Sequence, residues 1–300
     1  AFSDHVGYST IIVFCLFSGP SQKKLYRYNI IGFFPTTQCS FINLYLDYNA
    51  VPDAEEIAGY YEGDMMLSTR QKIGLRSRNG LRSEKYHWPG AEVPYELSPK
   101  LSEHEKTYIR RAMNKIQKVS CVKFRKKKDS DISYVYVTNF ASGCFSKVGF
   151  GRGKRVVNLH SKGSHSGGCF RIGTIMHEFL HVLGFYHMQS AADRDDYVDI
   201  KWDNIKPKAK KNFRKYSDTY VTHFGEKYDY NSILHYGKNV FTSNGRPTII
   251  PKDPTAKIGQ RTHLSMGDIR RINKMFMRSG ISYNSEIVSI GSLAEIEMIQ

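Results

Sequence analysis

Apolar residues recur at Tyr108, Ile109, Ala112, Met113 and Ile116, the spacing of one helix face. Ser102-Glu103-His104-Glu105 precedes them and has the form of a capping box, so a helix is predicted from there to Lys118. Ile132 to Val137 alternates and is rich in Tyr and Val, which predicts a strand. Val156-Val157-Asn158-Leu159 reads as another. A further helix begins near Ile172. Ser265-Met266-Gly267-Asp268 caps a last one, with Ile269, Ile272 and Phe276 on its apolar side. Early helix, then strands, then helices predicts a mixed domain with its sheet in the first half. Upstream, Ile11 to Phe17 is a short apolar run before Ser18-Gly19-Pro20. It suits either the core of a signal peptide, although a basic flank is missing, or a buried strand. Residues 21–78 carry no repeat and end in Arg/Lys-rich sequence.

The 300 residues suffice for one large or two modest domains, and 40% hydrophobic residues supply a sizeable core. No stretch of 18 consecutive apolar residues occurs, so a membrane span is not expected. The net charge is +16, part of it clustered at Lys123 to Lys128 and at Lys206 to Lys215. Such runs could meet nucleic acid, heparin-like polymers or acidic proteins, but a plain solvated surface is the simpler reading. No nucleic-acid motif accompanies them, so no specific nucleic-acid partner is expected. Cys15, Cys39, Cys121, Cys144 and Cys169 contain no C-x-x-C pair, which argues against a zinc ribbon. Their odd number leaves at least one thiol unpaired within the chain.

The chemistry is concentrated at His177-Glu178-Phe179-Leu180-His181-Val182-Leu183-Gly184-Phe185-Tyr186-His187, which reads H-E-x-x-H-x-x-G-x-x-H. His177 and His181, four apart, share one face of a helix. Gly184 can take positive φ, end that helix and bring His187 round as a third ligand. Three protein ligands leave one zinc position open, as in a catalytic site. Glu178 is placed to act as general base. One Zn2+ per chain is expected.

With the sequence after the histidines included, the chain resembles the astacin family of zinc endopeptidases, within the metzincin clan. The matching pieces are Gly173-Thr174-Ile175-Met176, Asp193 to Val198, Ser232-Ile233-Leu234-His235-Tyr236-Gly237 and Ile258-Gly259-Gln260-Arg261. The resemblance implies an α+β metzincin-type fold: two subdomains flanking an active-site cleft, a twisted mixed sheet and zinc helix above, and an irregular lower part with a C-terminal helix. It divides the chain into a possible signal-peptide remnant (1–20), a pro-segment (21–78), a catalytic domain (79–278) and a C-terminal tail (279–300). It assigns Tyr236 the role of binding the resting zinc and then stabilising the oxyanion. His235 is left as a structural histidine. Tyr61-Glu62-Gly63-Asp64 fits the family's latency switch, with Asp64 as the zinc-blocking carboxylate. Cys144 and Cys169 match one family disulfide. Cys121 matches half of a second whose partner position holds Met277 and Arg278, so it is expected buried and free.

Three departures stand out. Met188 replaces the glutamate that follows the third histidine and holds the freed N-terminus. Leu234 replaces the Met-turn methionine, and Ala191 replaces an arginine. The resemblance implies a secreted zymogen that acts on protein or peptide substrates, with a preference for acidic ones, and is activated by a trypsin-like protease near Arg78. Lys238 and Arg246 are candidate contacts for acidic residues. A catalytically impaired binding protein on a protease scaffold is the alternative. A polyanion-binding role, resting on charge alone, is a weaker third.

Overall fold

The computed structural model describes residues 54–72, 84–161, 168–216 and 222–277. The apolar run at 11–17, Cys15, Cys39, Arg78 and the segment 279–300 lie outside the described residues.

A six-stranded mixed sheet has the order β1-β5-β6-β4-β2-β3. The strands are β1 (Met65–Met66), β2 (Glu92–Leu97), β3 (Lys123–Lys126), β4 (Tyr134–Thr138), β5 (Cys144–Lys147) and β6 (Lys154–Leu159). β2, β3, β4 and β6 pair in parallel, while β5 runs antiparallel to β6. β1 lies parallel against the free edge of β5, with Met65 opposite Ser146. The predicted strand at 132–137 forms two residues later, as β4. Part of the basic run belongs to β3, an edge strand, where exposed lysines discourage pairing with other chains. Within it, Arg125 makes paired bonds of 2.6 and 2.8 Å to Asp131.

Helix α1 (Glu103–Val119) begins at the expected capping box. Ser102 Oγ accepts from the Glu105 amide at 3.2 Å, and the Ser102 amide donates to the Glu105 carboxylate at 2.7 Å. Its buried Ile109, Ala112, Met113 and Ile116 join Val135, Val137 and Val157 of the sheet in the main core. Helix α2 (Ile172–Leu183) is buried almost all round, so sequence periodicity alone marks it weakly. Gly184 ends it at φ 115°, its amide bonded to the Leu180 and His181 carbonyls.

Gly173 sits where a Cβ would lie 1.8 Å from the Arg261 carbonyl oxygen. Backbone is in the way, so the clash cannot be relieved by a rotamer change. Gly173→Ala should destabilise the fold by about 3 kcal/mol, the upper end of overpacking costs, as read by urea unfolding.

The second half of the chain builds a smaller core from Met188, Val198, Ile205, Phe213, Tyr236, Phe241 and Ile249, among others. It has little regular structure: β7 (Val198–Ile200) pairs with β8 (Ile249–Pro251), and short 3₁₀ turns fill the rest. One turn, Pro207–Phe213, carries exposed lysines of the second basic run while burying Ala209, Asn212 and Phe213. Helix α3 (Met266–Met277) returns Ile272, Met275 and Phe276 to the main core. Residues 54–72 touch both parts. Met65 and Leu67 pack with Val148, Tyr186 and Tyr216, and the Phe241 amide donates to Glu56.

The Cys144–Cys169 disulfide is formed, with Cα atoms 5.6 Å apart. It ties the start of β5 to the loop before α2. Cys121 is unpaired and half-buried rather than buried, and burial pushes its thiol pKa up. Its amide instead donates to Asn273 Oδ1 at 2.9 Å, and Asn273 Nδ2 donates to the Val119 carbonyl. This side chain links α1 to α3 where the second bridge would run. Mass spectrometry after alkylation without reductant should find Cys121 labelled and Cys144 joined to Cys169. Replacing that pair by serine should cost about 2–4 kcal/mol.

Candidate metal centre and catalytic site

Helix periodicity places His177 and His181 side by side, and the turn at Gly184 swings His187 to meet them. Their Nε2 atoms lie 3.0, 3.2 and 3.3 Å from one another. Asp64 closes the fourth corner, with carboxylate oxygens 3.1, 3.5 and 3.3 Å from the three Nε2 atoms. All four side chains are buried. Four ligands at zinc bond lengths of about 2.0 Å in a tetrahedron are separated by about 3.3 Å, so the spacing fits zinc.

The proton positions fit as well. His177 Nδ1 faces the Ile233 carbonyl at 2.8 Å, and His181 Nδ1 faces the Phe185 carbonyl at 2.8 Å. His187 Nδ1 faces the Glu62 carboxylate at 2.9 Å. Each outer nitrogen therefore carries the hydrogen, and each Nε2 turns a lone pair inward. Three converging lone pairs and a carboxylate repel one another unless a cation lies between them.

Glu178 is fully buried beside this cluster. Ser146 Oγ donates to its Oε2 at 2.6 Å, and its Oε1 has no hydrogen-bond partner. Burial, and then the charge of Asp64, push its carboxyl well above the usual range, against the Ser146 bond. Tyr236 lies with its ring 4.8 Å from that of His187. Its hydroxyl donates to the Glu62 carbonyl, so residues 61–64 hold both Tyr236 and the fourth corner.

The turn from Ser232 to Gly237 is positioned by Asp268 at the start of α3. Asp268 accepts from Ser232 Oγ at 2.6 Å, from the Ile233 amide at 2.9 Å and from the Ser265 amide at 3.1 Å. The same Ile233 offers its carbonyl to His177, so one aspartate caps a helix and orients a ligand. Leu234 is buried in this turn. His235 is satisfied by the Tyr236 carbonyl at 2.7 Å and the Tyr228 hydroxyl at 2.6 Å, as a structural histidine should be. Lys238 and Arg246 are exposed.

Four functional neighbours escape the sequence pattern: Ser146, Asp268, Glu55 and Glu62. Glu55 meets Arg261 through bonds of 2.7 to 2.9 Å, and Arg261 also donates to the His235 carbonyl. Burial alone would raise the Glu55 carboxyl, but Arg261 holds it down at about 2. Of these, Glu62 lies in the match around Asp64 and Asp268 in the predicted cap of the last helix, while Ser146 and Glu55 carry no sequence signal.

A mixed sheet over a helix that presents two histidines, a third histidine after a glycine turn and an adjacent buried glutamate define a zinc-dependent metallopeptidase of the metzincin kind. The chain belongs to the astacin peptidase family, whose family model matches residues 80–277. The zinc metalloproteinase nas-4 of Caenorhabditis elegans is 37% identical over 240 residues, covering 78% of this chain and 74% of that protein. Nas-14 of the same organism is 43% identical over 190 residues, which is 63% of this chain and 37% of that protein. The chain therefore spans little more than a third of that second relative's length. Among solved structures, high choriolytic enzyme 1, a hatching enzyme zinc-protease from Oryzias latipes, matches with a TM-score of 0.60 at 34% identity. That match covers 65% of this chain and 96% of that one. No described helix is long and apolar enough to cross a membrane.

Proposed function

We propose that this chain is a secreted zinc endopeptidase made as a latent precursor, with residues 54–72 belonging to an inhibitory pro-segment. The observation that carries this reading is the convergence of His177, His181, His187 and Asp64 beside Glu178. His177, His181 and His187 would hold zinc, whose Lewis acidity would make a water nucleophilic at neutral pH. Once Asp64 has left, Glu178 takes the proton of the attacking water and passes it to the leaving amine. Ser146 orients that carboxylate. Tyr236, released from the Glu62 carbonyl, turns its hydroxyl to the developing oxyanion. The disulfide supports an oxidising, extracellular destination. The departures at Met188, Ala191 and Leu234 are all buried and leave every catalytic group in place, so nothing favours an inert binding protein.

Activation is assigned to a trypsin-like protease cutting in the basic stretch near Arg78. The test is to treat the purified chain with trypsin and follow zinc content and hydrolysis of a denatured protein. Activity that appears on cleavage and is abolished by a chelator is expected; an inactive, zinc-loaded cleaved protein would overturn the proposal. A peptide library read on the same material should show enrichment of Asp and Glu near the cut. If the net charge of +16 causes it, the enrichment fades smoothly with salt. If the exposed Lys238 or Arg246 makes a direct contact, it persists in salt and falls on substitution by alanine.

A further inference from the structure

Glu62 is 1% exposed and enters the site at φ 49°, a left-handed conformation that non-glycine residues seldom adopt. A turn imposes it: the Tyr60 amide bonds to the Gly63 carbonyl at 3.0 Å and the Gly63 amide to the Tyr60 carbonyl at 3.2 Å. Gly63 itself, at φ 98°, has no room for a side chain, since a Cβ would lie 2.8 Å from the Glu55 carbonyl oxygen. The turn brings the Glu62 carboxylate to His187, Ser190 and Tyr216. There one oxygen accepts from His187 Nδ1 at 2.9 Å. The other accepts from Ser190 Oγ at 2.9 Å and from the Tyr216 hydroxyl.

His177 and His181 donate their outer hydrogen bonds to backbone carbonyls of the catalytic domain itself. His187 differs, because its acceptor is a charged group on the segment that carries Asp64. The position after His187 is Met188, 4% exposed and packed in the lower core, with no carboxylate to offer.

We infer that Glu62 is a positioning residue for zinc: it fixes and polarises His187, so the latent chain grips the metal more tightly than the cleaved enzyme does. This inference rests on the reading of residues 54–72 as a removable segment. A carboxylate on the outer nitrogen makes the inner one a better donor and locks the ring's orientation. Asp64 and Glu62 thus act on one ion from two shells. Cleavage withdraws both, and the cleaved enzyme keeps its zinc on three histidines of which one has lost its anionic partner.

Zinc release into a saturating chromogenic chelator tests this, on a Glu178→Ala background that stops self-cleavage. Glu62→Gln keeps the size of the side chain and removes its charge. It should speed release by about 10- to 100-fold, the usual effect of removing an outer-shell partner. The same factor should separate Glu62→Gln/Asp64→Ala from Asp64→Ala alone. Acceleration only when Asp64 is present would mean that Glu62 merely seats Asp64, and would overturn the inference, as would equal rates throughout. A comparison free of any change at position 62 comes from the trypsin-cleaved chain, which should release zinc faster than uncleaved Asp64→Ala by a similar factor. Equal release from these two would also overturn it. Metal-free melting temperatures of the parent and Glu62→Gln, expected to agree, separate loss of grip from loss of fold. Latency is read independently, as peptidase activity of uncleaved Asp64→Ala with Glu178 intact. A silent Asp64→Ala chain whose zinc release still depends on Glu62 would remove the latency mechanism and leave this inference standing.

Discussion

Glu178→Ala in the cleaved enzyme should keep its zinc and lose about 10²- to 10⁴-fold in kcat/KM, the usual contribution of a general base. The two effects separate because Glu178 stands outside the ligand set. The three Nε2 atoms and Asp64 form the tetrahedron, while Glu178 is held from the side by Ser146. Truncating Glu178 frees Ser146 Oγ of one acceptor but leaves it the Glu178 carbonyl, at 3.0 Å. The strand and helix therefore stay joined, and the loss is chemical rather than structural. His181→Ala provides the contrast, since it removes a ligand and should lose both metal and activity. Activity of Glu178→Ala within a few-fold of the parent, with zinc bound, would sink the assignment of the base.

What the sequence disclosed was mostly local. The α1 box is four residues long, and the i, i+4 histidines need only one helical turn. The Gly184 turn is set by a single residue whose conformation is cheap without a Cβ. Tyr236 and the Cys144–Cys169 bridge were legible only through the family resemblance. The groups that tune the site are of another kind. Glu62 reaches His187 across 125 positions and Glu55 reaches Arg261 across 206. No periodicity marks such pairs. Ser146 alternates into the site from β5 and looks in sequence like any strand serine. Asp268 is legible in sequence as part of a cap, but its second task, holding the Ile233 amide, depends on α3 docking beside a turn 35 residues away. The lower part was illegible for a related reason: 3₁₀ turns and a two-strand ribbon have too little length for a hydrophobic period to develop.

Asp64→Ala should make the uncleaved chain active, more than the silent parent and less than the cleaved enzyme. The intermediate level follows from two separate obstructions. Asp64 fills the corner of the tetrahedron that the attacking water needs, and alanine vacates it while the three histidines still hold zinc. The second obstruction is untouched. The Asp64 carbonyl accepts the Ser146 amide at 3.0 Å, and Met65 and Met66 pair with Ser146 and Lys147 along the free edge of β5. An extended substrate uses such an edge by adding a strand to it, so it must first displace the segment. The clamp that resists displacement is the buried Glu55–Arg261 pair, with side chains 8% and 10% exposed. Breaking one partner of such a pair leaves the other charge unmatched, so adding Glu55→Ala to Asp64→Ala should raise the uncleaved activity further. Glu55→Ala alone should do much less, because the carboxylate still blocks the metal. The measurement is peptide turnover by each purified variant with the basic stretch near Arg78 shown intact by mass spectrometry. An uncleaved Asp64→Ala chain that binds zinc and stays as silent as the parent would mean that edge occupancy alone enforces latency, with Asp64 no more than a passenger on the segment.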